Sequence, residues 1–268
     1  MPQQRVLITG AGSGLGRALA RRYARAGYVV ACADIQLLRA EETVALLGPA
    51  VAGAPHLALP VDVGDDESWR TLATRLAAHW DTLDVLINNA GISSAGTLLE
   101  APMAEWQQIL NVNLLGVVRG CRTFAPQLVR QGHGRIINIA SFAGLAGAPA
   151  IMSYGVAKAA VVALSEQLRA ELHHRHVAVS VVCPAFFKTN LLDNCLTSNA
   201  RLKQVAVRAM EKSRIDAAGV AANVYTAAER GDFMILPTPR EPMLWRIKRW
   251  FPNFYFRKLL QATGERHG

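Results

Sequence analysis

Tyr154 and Lys158 stand four residues apart in a stretch running from Ser141 to Lys158. On a helix that spacing stacks the two side chains on one face, one turn apart, and sets an ammonium beside a phenol. A tyrosine with its ordinary pKa of about 10 is a poor base at neutral pH, and a fixed cation favours the phenolate. Lowering that pKa by about 3 units needs about 4 kcal/mol of differential stabilisation, more than an exposed lysine supplies. Burial and a bound positive cofactor would have to help. A Tyr-x-x-x-Lys pair alone is as well explained by a helix face, so its meaning depends on what the chain places around it.

The elements that would position such a pair begin with Arg5-Val6-Leu7-Ile8, a short strand-like apolar run. It leads into Thr9-Gly10-Ala11-Gly12-Ser13-Gly14-Leu15-Gly16 and then an Ala/Leu/Arg-rich helical segment that stops at Gly27. Strand, glycine turn and helix form a phosphate cradle, because glycines let the backbone approach a pyrophosphate and the first helical N–H groups receive its charge. The spacing is G-x-x-x-G-x-G rather than G-x-G-x-x-G. A second strand, Tyr28 to Ala33, ends at Asp34, 18 residues beyond Gly16. A carboxylate there accepts a hydrogen bond from a ribose hydroxyl and repels a 2′-phosphate, and Ser13 offers that phosphate no cation. The reading is NAD over NADP, with Arg17 and Arg39 close enough in sequence to keep NADP open.

The remaining elements alternate in the same way. A helix over 36–47 precedes a third strand, His56 to Val61, with Asp62-Val63 at its carboxyl end, where open parallel sheets bind ligands. A helix to Trp80 and a fourth strand, Leu83 to Ile87, lead to Asn88-Asn89-Ala90-Gly91, a small-residue turn that lets backbone lie against a flat ring. A long helix from Met103 to Gln131 contains Asn113 and should kink or end at Pro126. The fifth strand, Arg135 to Ile139, opens onto Ser141. The helix from Tyr154 to Arg175 is apolar on more than one face, as if a sheet covered one side and a second subunit the other. A sixth strand, Val177 to Val182, ends at Cys183-Pro184, and Phe233 to Leu236 suits a seventh. This order predicts an α/β fold: a doubly wound, Rossmann-type parallel sheet of about seven strands with helices on both faces. It should occupy residues 1–239, with a substrate lid over about 186–214, followed by a C-terminal amphipathic helical extension over 240–268.

Composition narrows the function classes. About half of the 268 residues are apolar, no apolar run approaches a membrane span, and the start carries no secretory signal, so a cytoplasmic protein is expected. Four scattered cysteines and His173-His174-Arg175-His176, whose cations suit a helix C-terminus, predict no metal site. Of the net charge of +9, +5 falls in the last 29 residues, which argues against a nucleic-acid face on the main domain.

With these motifs in this order, the chain resembles the short-chain dehydrogenase/reductase family over roughly residues 5–236. The resemblance implies an NAD(P)-dependent oxidoreductase whose catalytic residues are Asn113, Ser141, Tyr154 and Lys158, with Ser141 and Tyr154 thirteen residues apart. Tyr154 would be the general acid/base and Lys158 would depress its pKa and bind the nicotinamide ribose. Ser141 would hydrogen-bond the substrate oxygen, and Asn113 would hold a water passing the proton to solvent. The cofactor would be held by Gly10, Gly12, Ser13, Gly14, Leu15, Gly16, Asp34, Asp62, Val63, Asn89, Ala90, Gly91, Tyr154, Lys158, Pro184 and Thr189. Two departures stand out: Pro184-Ala185 where the family often has Pro-Gly, and about thirty residues after Leu236-Pro237-Thr238-Pro239.

Phe186, Phe187, Leu191 and Leu192 of the expected lid, with Phe142, Leu145 and Ile151, suggest an apolar secondary alcohol or ketone as substrate. In the extension, Met243, Leu244, Ile247, Trp250 and Phe251 recur at helical spacing, Pro252 interrupts, and six of the eighteen aromatics lie there. Aromatic and basic residues on such a helix suit a peripheral membrane contact over 243–260, or packing against its own subunit or a partner's. The competing functions are a non-catalytic NAD(H)-binding regulator and an NADPH-preferring carbonyl reductase acting on lipid-like substrates at a membrane surface. A homodimer or homotetramer is expected.

Overall fold

Val6, Leu7 and Ile8 are all buried, although consecutive residues of a strand point to opposite faces. A strand covered on both sides belongs inside a layered α/β structure. The computed structural model describes residues 3–49, 54–187, 195–197, 204, 207–208, 210–211, 213 and 215–264. In it β1 (Arg5–Thr9), β2 (Val29–Asp34), β3 (Leu57–Pro60), β4 (Val85–Asn88), β5 (Gly134–Ile139), β6 (Val177–Val182) and β7 (Met234–Ile235) form one sheet. Its order is β3-β2-β1-β4-β5-β6-β7 and every pairing is parallel.

The chain leaves β1 in one direction through β2 and β3, then returns to lay β4 on β1's other side. The carboxyl ends of β1 and β4 therefore splay around a crevice, the place where open α/β sheets bind ligands. Helices α1 (Gly14–Arg25), α2 (Leu37–Ala45), α3 (Asp66–Ala77), α4 (Met103–Leu110), α5 (Gly116–Gln131), α6 (Ala143–Ala146) and α7 (Met152–Leu172) follow in chain order. α8 (Ala217–Glu229) then precedes β7. One core joins Leu7, Leu86 and Ile136 to Trp69, Phe124 and Val161 of α3, α5 and α7. The other joins Val6, Ile8 and Ile137 to Leu19 of α1 and to Val220 and Val224 of α8.

Three local readings need correction. Pro126 does not end its helix, since α5 runs through it. The carbonyl its ring leaves without an i+4 donor belongs to Arg122, an exposed residue. The irregularity lies upstream, as a π turn over Asn111–Leu115 between α4 and α5. α8, which sequence periodicity did not single out, is an alanine-rich helix capped by Asp216, whose Oδ1 accepts the Gly219 N–H at 2.8 Å. Phe187, expected to line a substrate lid, is buried in the second core, while Phe186 is half exposed. Leu191 and Leu192 lie outside the described residues, as does most of the expected lid.

After β7 the chain forms α9 (Glu241–Trp250) and α10 (Pro252–Thr263), broken at Pro252 as the sequence predicts. No described helix is long and apolar enough to cross a membrane.

Candidate active site

Each cradle glycine is fixed by what stands against it. Gly10 and Gly14 have φ of +64° and +50°, in the left-handed region that favours glycine. A Cβ at Gly16 would fall 2.1 Å from the Gly10 carbonyl oxygen, and one at Gly12 would fall 2.7 Å from Asp34 Oδ2. Leu15 is buried beneath the turn, and Ser13 precedes α1 in extended backbone without a side-chain cap, so its hydroxyl leaves the helix's first N–H groups free. The fourth-strand turn is pinned to the same place. The Thr9 hydroxyl accepts the Asn89 and Ala90 N–H groups at 3.0 and 3.1 Å, and Asn89 Nδ2 donates to the Thr9 carbonyl at 2.8 Å.

This closeness makes a prediction. Gly16→Ala should destabilise the protein by about 1–3 kcal/mol, because the added methyl meets backbone that cannot yield. Gly155→Ala, in α7 with 3.6 Å to its nearest neighbour, should be neutral or stabilising. Urea denaturation of the two variants checks this, and equal stabilities would refute the packing account.

Asp34 ends β2 beside the cradle. Its Oδ2 accepts the Gly12 N–H at 2.9 Å and its Oδ1 the Gln36 N–H at 3.0 Å. Arg17 donates to Thr43 Oγ1, to the Gly12 carbonyl and to Glu42 at 2.9 Å, so its guanidinium is committed behind the cradle. Arg39 stays exposed, its Cβ against Gly12. Asp62 closes the turn after β3 by accepting the Gly64 N–H at 2.8 Å, and Val63 is buried, its carbonyl accepting Trp69 Nε1 at 3.2 Å.

The four expected catalytic residues come from three places in the fold: the π turn carries Asn113, the segment after β5 carries Ser141, and α7 carries both Tyr154 and Lys158. The π turn directs Asn113 inward, where it is fully buried. π turns recur at functional sites because they redirect a side chain without ending the helix. Its Oδ1 accepts the Ile92 N–H at 2.9 Å and its Nδ2 donates to the Ile92 carbonyl at 2.8 Å. This side chain clamps the turn behind Gly91. A Cβ at Gly91 would lie 2.9 Å from Asn113 Oδ1 and 3.5 Å from Lys158 Nζ, so the three meet. Lys158 is 4% exposed and donates to the Ile139 carbonyl at 2.8 Å. Ser141 Oγ accepts the Ala143 N–H at 3.1 Å and donates to the Pro184 carbonyl at 3.4 Å.

The electrostatics differ from the sequence expectation in sign. Burial raises the Tyr154 phenol above the ordinary tyrosine value, a side-chain hydrogen bond with Ser141 pulls it down, and the nearby Cys183 and Cys195 add smaller upward pushes. Burial was expected to help the phenolate and does the reverse, because it penalises the charged form. Lys158 Nζ is 5.9 Å from the tyrosine ring centroid. Burial lowers the lysine itself to about 8.

Several neighbours of the site were not read from sequence. Cys183, at the end of β6, is buried beside Ser141 and Lys158, and burial pushes its thiol up to about 12. Ser153 Oγ donates to Glu105 Oε1 at 2.6 Å and lies 2.6 Å from Ser94 Oγ, so Ser94 is the donor in that second bond. This chain ties α4 and the start of α7 to the loop after β4. The Ser94 loop also pairs with Leu196 and, through Gly96, with Ile151. Serines so far apart in sequence give no joint signal; only the fold brings them together. Pro184 is buried against Ser141 and Phe142, while Thr189 lies outside the described residues.

A family model described as short chain dehydrogenase matches residues 4–200. The "Probable oxidoreductase EphD" of Mycobacterium tuberculosis is 38% identical over 190 residues, covering 70% of this chain and 31% of that protein. The chain thus spans about a third of that relative's length. "Meso-2,3-butanediol dehydrogenase" of Serratia marcescens is 36% identical over 186 residues, covering 69% of this chain and 72% of the relative. Among solved structures, a short chain dehydrogenase/reductase from Burkholderia phymatum in complex with NAD aligns with a TM-score of 0.86 at 30% identity, covering 94% of this chain and 95% of that one. A short-chain dehydrogenase from Sphingobium yanoikuyae in complex with NADPH aligns with a TM-score of 0.76 at 25% identity, covering 97% and 95%.

Proposed function

The chain belongs to the short-chain dehydrogenase family, and from that premise we propose that it is an NAD-dependent oxidoreductase interconverting an apolar secondary alcohol and its ketone, with Tyr154 as general acid/base. The observation that carries this reading is the meeting of Ser141, Tyr154, Lys158 and Asn113 at the carboxyl ends of β4, β5 and β6, beside the glycine cradle.

The residues present fit a dinucleotide. Cβ atoms at Gly10, Gly12 or Gly16 would fill or collapse the cradle, which stays open only because glycines stand there. Gly10 to Gly16 and the start of α1 would hold the pyrophosphate, Asp34 the adenosine ribose, and Asp62 and Val63 the adenine side. Asn89 to Gly91, Pro184, Thr189, Tyr154 and Lys158 would hold the nicotinamide end. The bound cofactor supplies a hydride acceptor or donor.

The chain's own residues handle the proton. In the reductive direction Tyr154, protonated at neutral pH, donates from Oη to the developing alkoxide while Ser141 holds the same oxygen. In the oxidative direction the phenol must first lose its proton, and Lys158 favours that loss only where it still carries its charge, below about pH 8. Asn113 fixes the turn that seats Lys158, and in this reading it would also hold a water that passes the proton to solvent.

Asp34 supports NAD over NADP, because a 2′-phosphate would meet its carboxylate while Arg17 is already committed. Asp34→Asn keeps one acceptor and removes the repulsion. The ratio of kcat/KM with NAD to that with NADP should fall about 10²-fold, and an unchanged ratio would return NADP as an equal partner.

Residues 1–239 form the catalytic unit in this reading and 240–268 an extension. Exposed Met103, Leu115, Met152 and Val156 on and beside α7 support a homodimer or homotetramer. A cytoplasmic location with peripheral membrane contact through 243–260 completes it. The test is NADH formation across a panel of apolar secondary alcohols, run in parallel with NADP. Tight NAD binding with no turnover on any of them would favour a non-catalytic NAD(H)-binding regulator.

A further inference from the structure

α9 is tied to the catalytic side of the molecule through α6. α9 packs on α6, where Lys248 donates to the Leu145 carbonyl. α6 in turn lies backbone to backbone on the catalytic helix, since a Cβ at Gly144 would come 2.6 Å from the Lys158 carbonyl carbon. Open clefts of about 580 and 330 Å³ flank Trp245 where α9 passes β7, and neither helix has a fully buried residue. Neither cleft is lined by a candidate site residue.

The outer side of the pair is aromatic and cationic. Trp250 is 74% exposed, Phe251 64%, Phe254 47% and Phe256 57%. Four large aromatics left in water within seven residues mark a surface that something covers. Between Pro242 and Gly264 there are five Lys or Arg and no Asp or Glu. A second copy of so cationic a surface would meet it with like charge. Anionic headgroups would complement it, and indole and phenyl rings favour the headgroup boundary.

We propose that α9 and α10 dock the protein on an anionic bilayer, seating Trp250, Phe251, Phe254 and Phe256 at the headgroup boundary with Arg249, Arg257 and Lys258 on the phosphates. Lys248 then holds the active-site wall α6 against that surface, so that an apolar substrate dissolved in the bilayer enters from it. Docking stands by itself; the delivery of substrate rests on the oxidoreductase reading.

The test is flotation of the full chain with vesicles of equimolar phosphatidylcholine and phosphatidylserine, against phosphatidylcholine alone. Binding should be about tenfold tighter to the anionic vesicles, reversed by salt, and lost by about tenfold in a Trp250→Ser/Phe254→Ser variant, whose exposed positions leave the fold intact. Docking is overturned if the wild type stays in solution at low salt or if the variant floats equally well. It is also overturned if the wild type proves to be a dimer that the variant converts to monomers, which would make a second copy the partner. Delivery is read separately. The KM for an apolar alcohol carried in anionic vesicles should be about threefold lower for the wild type than for the variant. Flotation without that difference removes the delivery step. Flotation with no turnover of any alcohol removes it together with the oxidoreductase reading.

Discussion

Tyr154→Phe is expected to lower kcat for alcohol oxidation by about 10²–10⁴-fold while leaving NAD affinity nearly unchanged. The substitution removes one oxygen and keeps the ring, so packing around α7 is preserved. The lost hydrogen bond with Ser141 should cost about 1 kcal/mol of stability. What disappears is the group that exchanges a proton with the substrate oxygen. The pH dependence separates this role from a structural one. Burial raises the phenol above its ordinary value, so oxidation by the free enzyme should accelerate as pH rises, and the alkaline rise in kcat/KM belongs to that proton loss. In the phenylalanine variant the residual rate should lose that rise. Steady-state NADH formation between neutral and alkaline pH measures both quantities. Turnover within a few-fold of wild type would remove Tyr154 from the chemistry.

The sheet was legible because its signals are local. Strand-like apolar runs, glycine turns and Ala/Leu-rich helices recur in a fixed alternation, and both-face burial of β1 follows from the unbroken apolarity of Val6 to Ile8. The glycine cradle was legible for the same reason, since a strand, a turn and a helix are contiguous. α8 escaped because alanines mark no face, and the π turn because it changes the helical register without changing composition. Phe187 escaped because an apolar residue after a strand suits a core and a lid equally well. The sign of the Tyr154 shift was beyond sequence altogether. It depends on how much water and how much cation the fold leaves at one oxygen, and spacing fixes neither. The Ser94–Ser153–Glu105 chain needs the packing of three distant segments and has no sequence signature.

Lys158→Met should make the cofactor-free protein more stable at neutral pH while abolishing most of its activity. Lys158 is held 4% exposed, and burial lowers it from 10.5 to about 8. Below about pH 8 both folded and unfolded chains carry the ammonium, and the folded one bears its full desolvation cost. Between about 8 and 10.5 the folded chain releases its proton first, so the unfolded state binds more protons and stability rises with pH. The shift corresponds to about 3 kcal/mol, an upper bound on the cost of keeping this cation dry. Methionine fills similar volume without charge, but it leaves the Ile139 carbonyl without its donor, a loss of about 1–2 kcal/mol. The net gain for the variant should be about 1–2 kcal/mol at pH 7, and it should reverse by about pH 10, where the wild-type lysine is neutral in the fold and still donates to Ile139. Urea denaturation of both proteins at the two pH values measures this. A variant less stable at pH 7, or an advantage independent of pH, would mean that the lysine's hydrogen bond outweighs its desolvation. The expected outcome instead identifies Lys158 as a cation the fold tolerates at a cost to its own stability, which a merely structural lysine at this position would have no reason to impose.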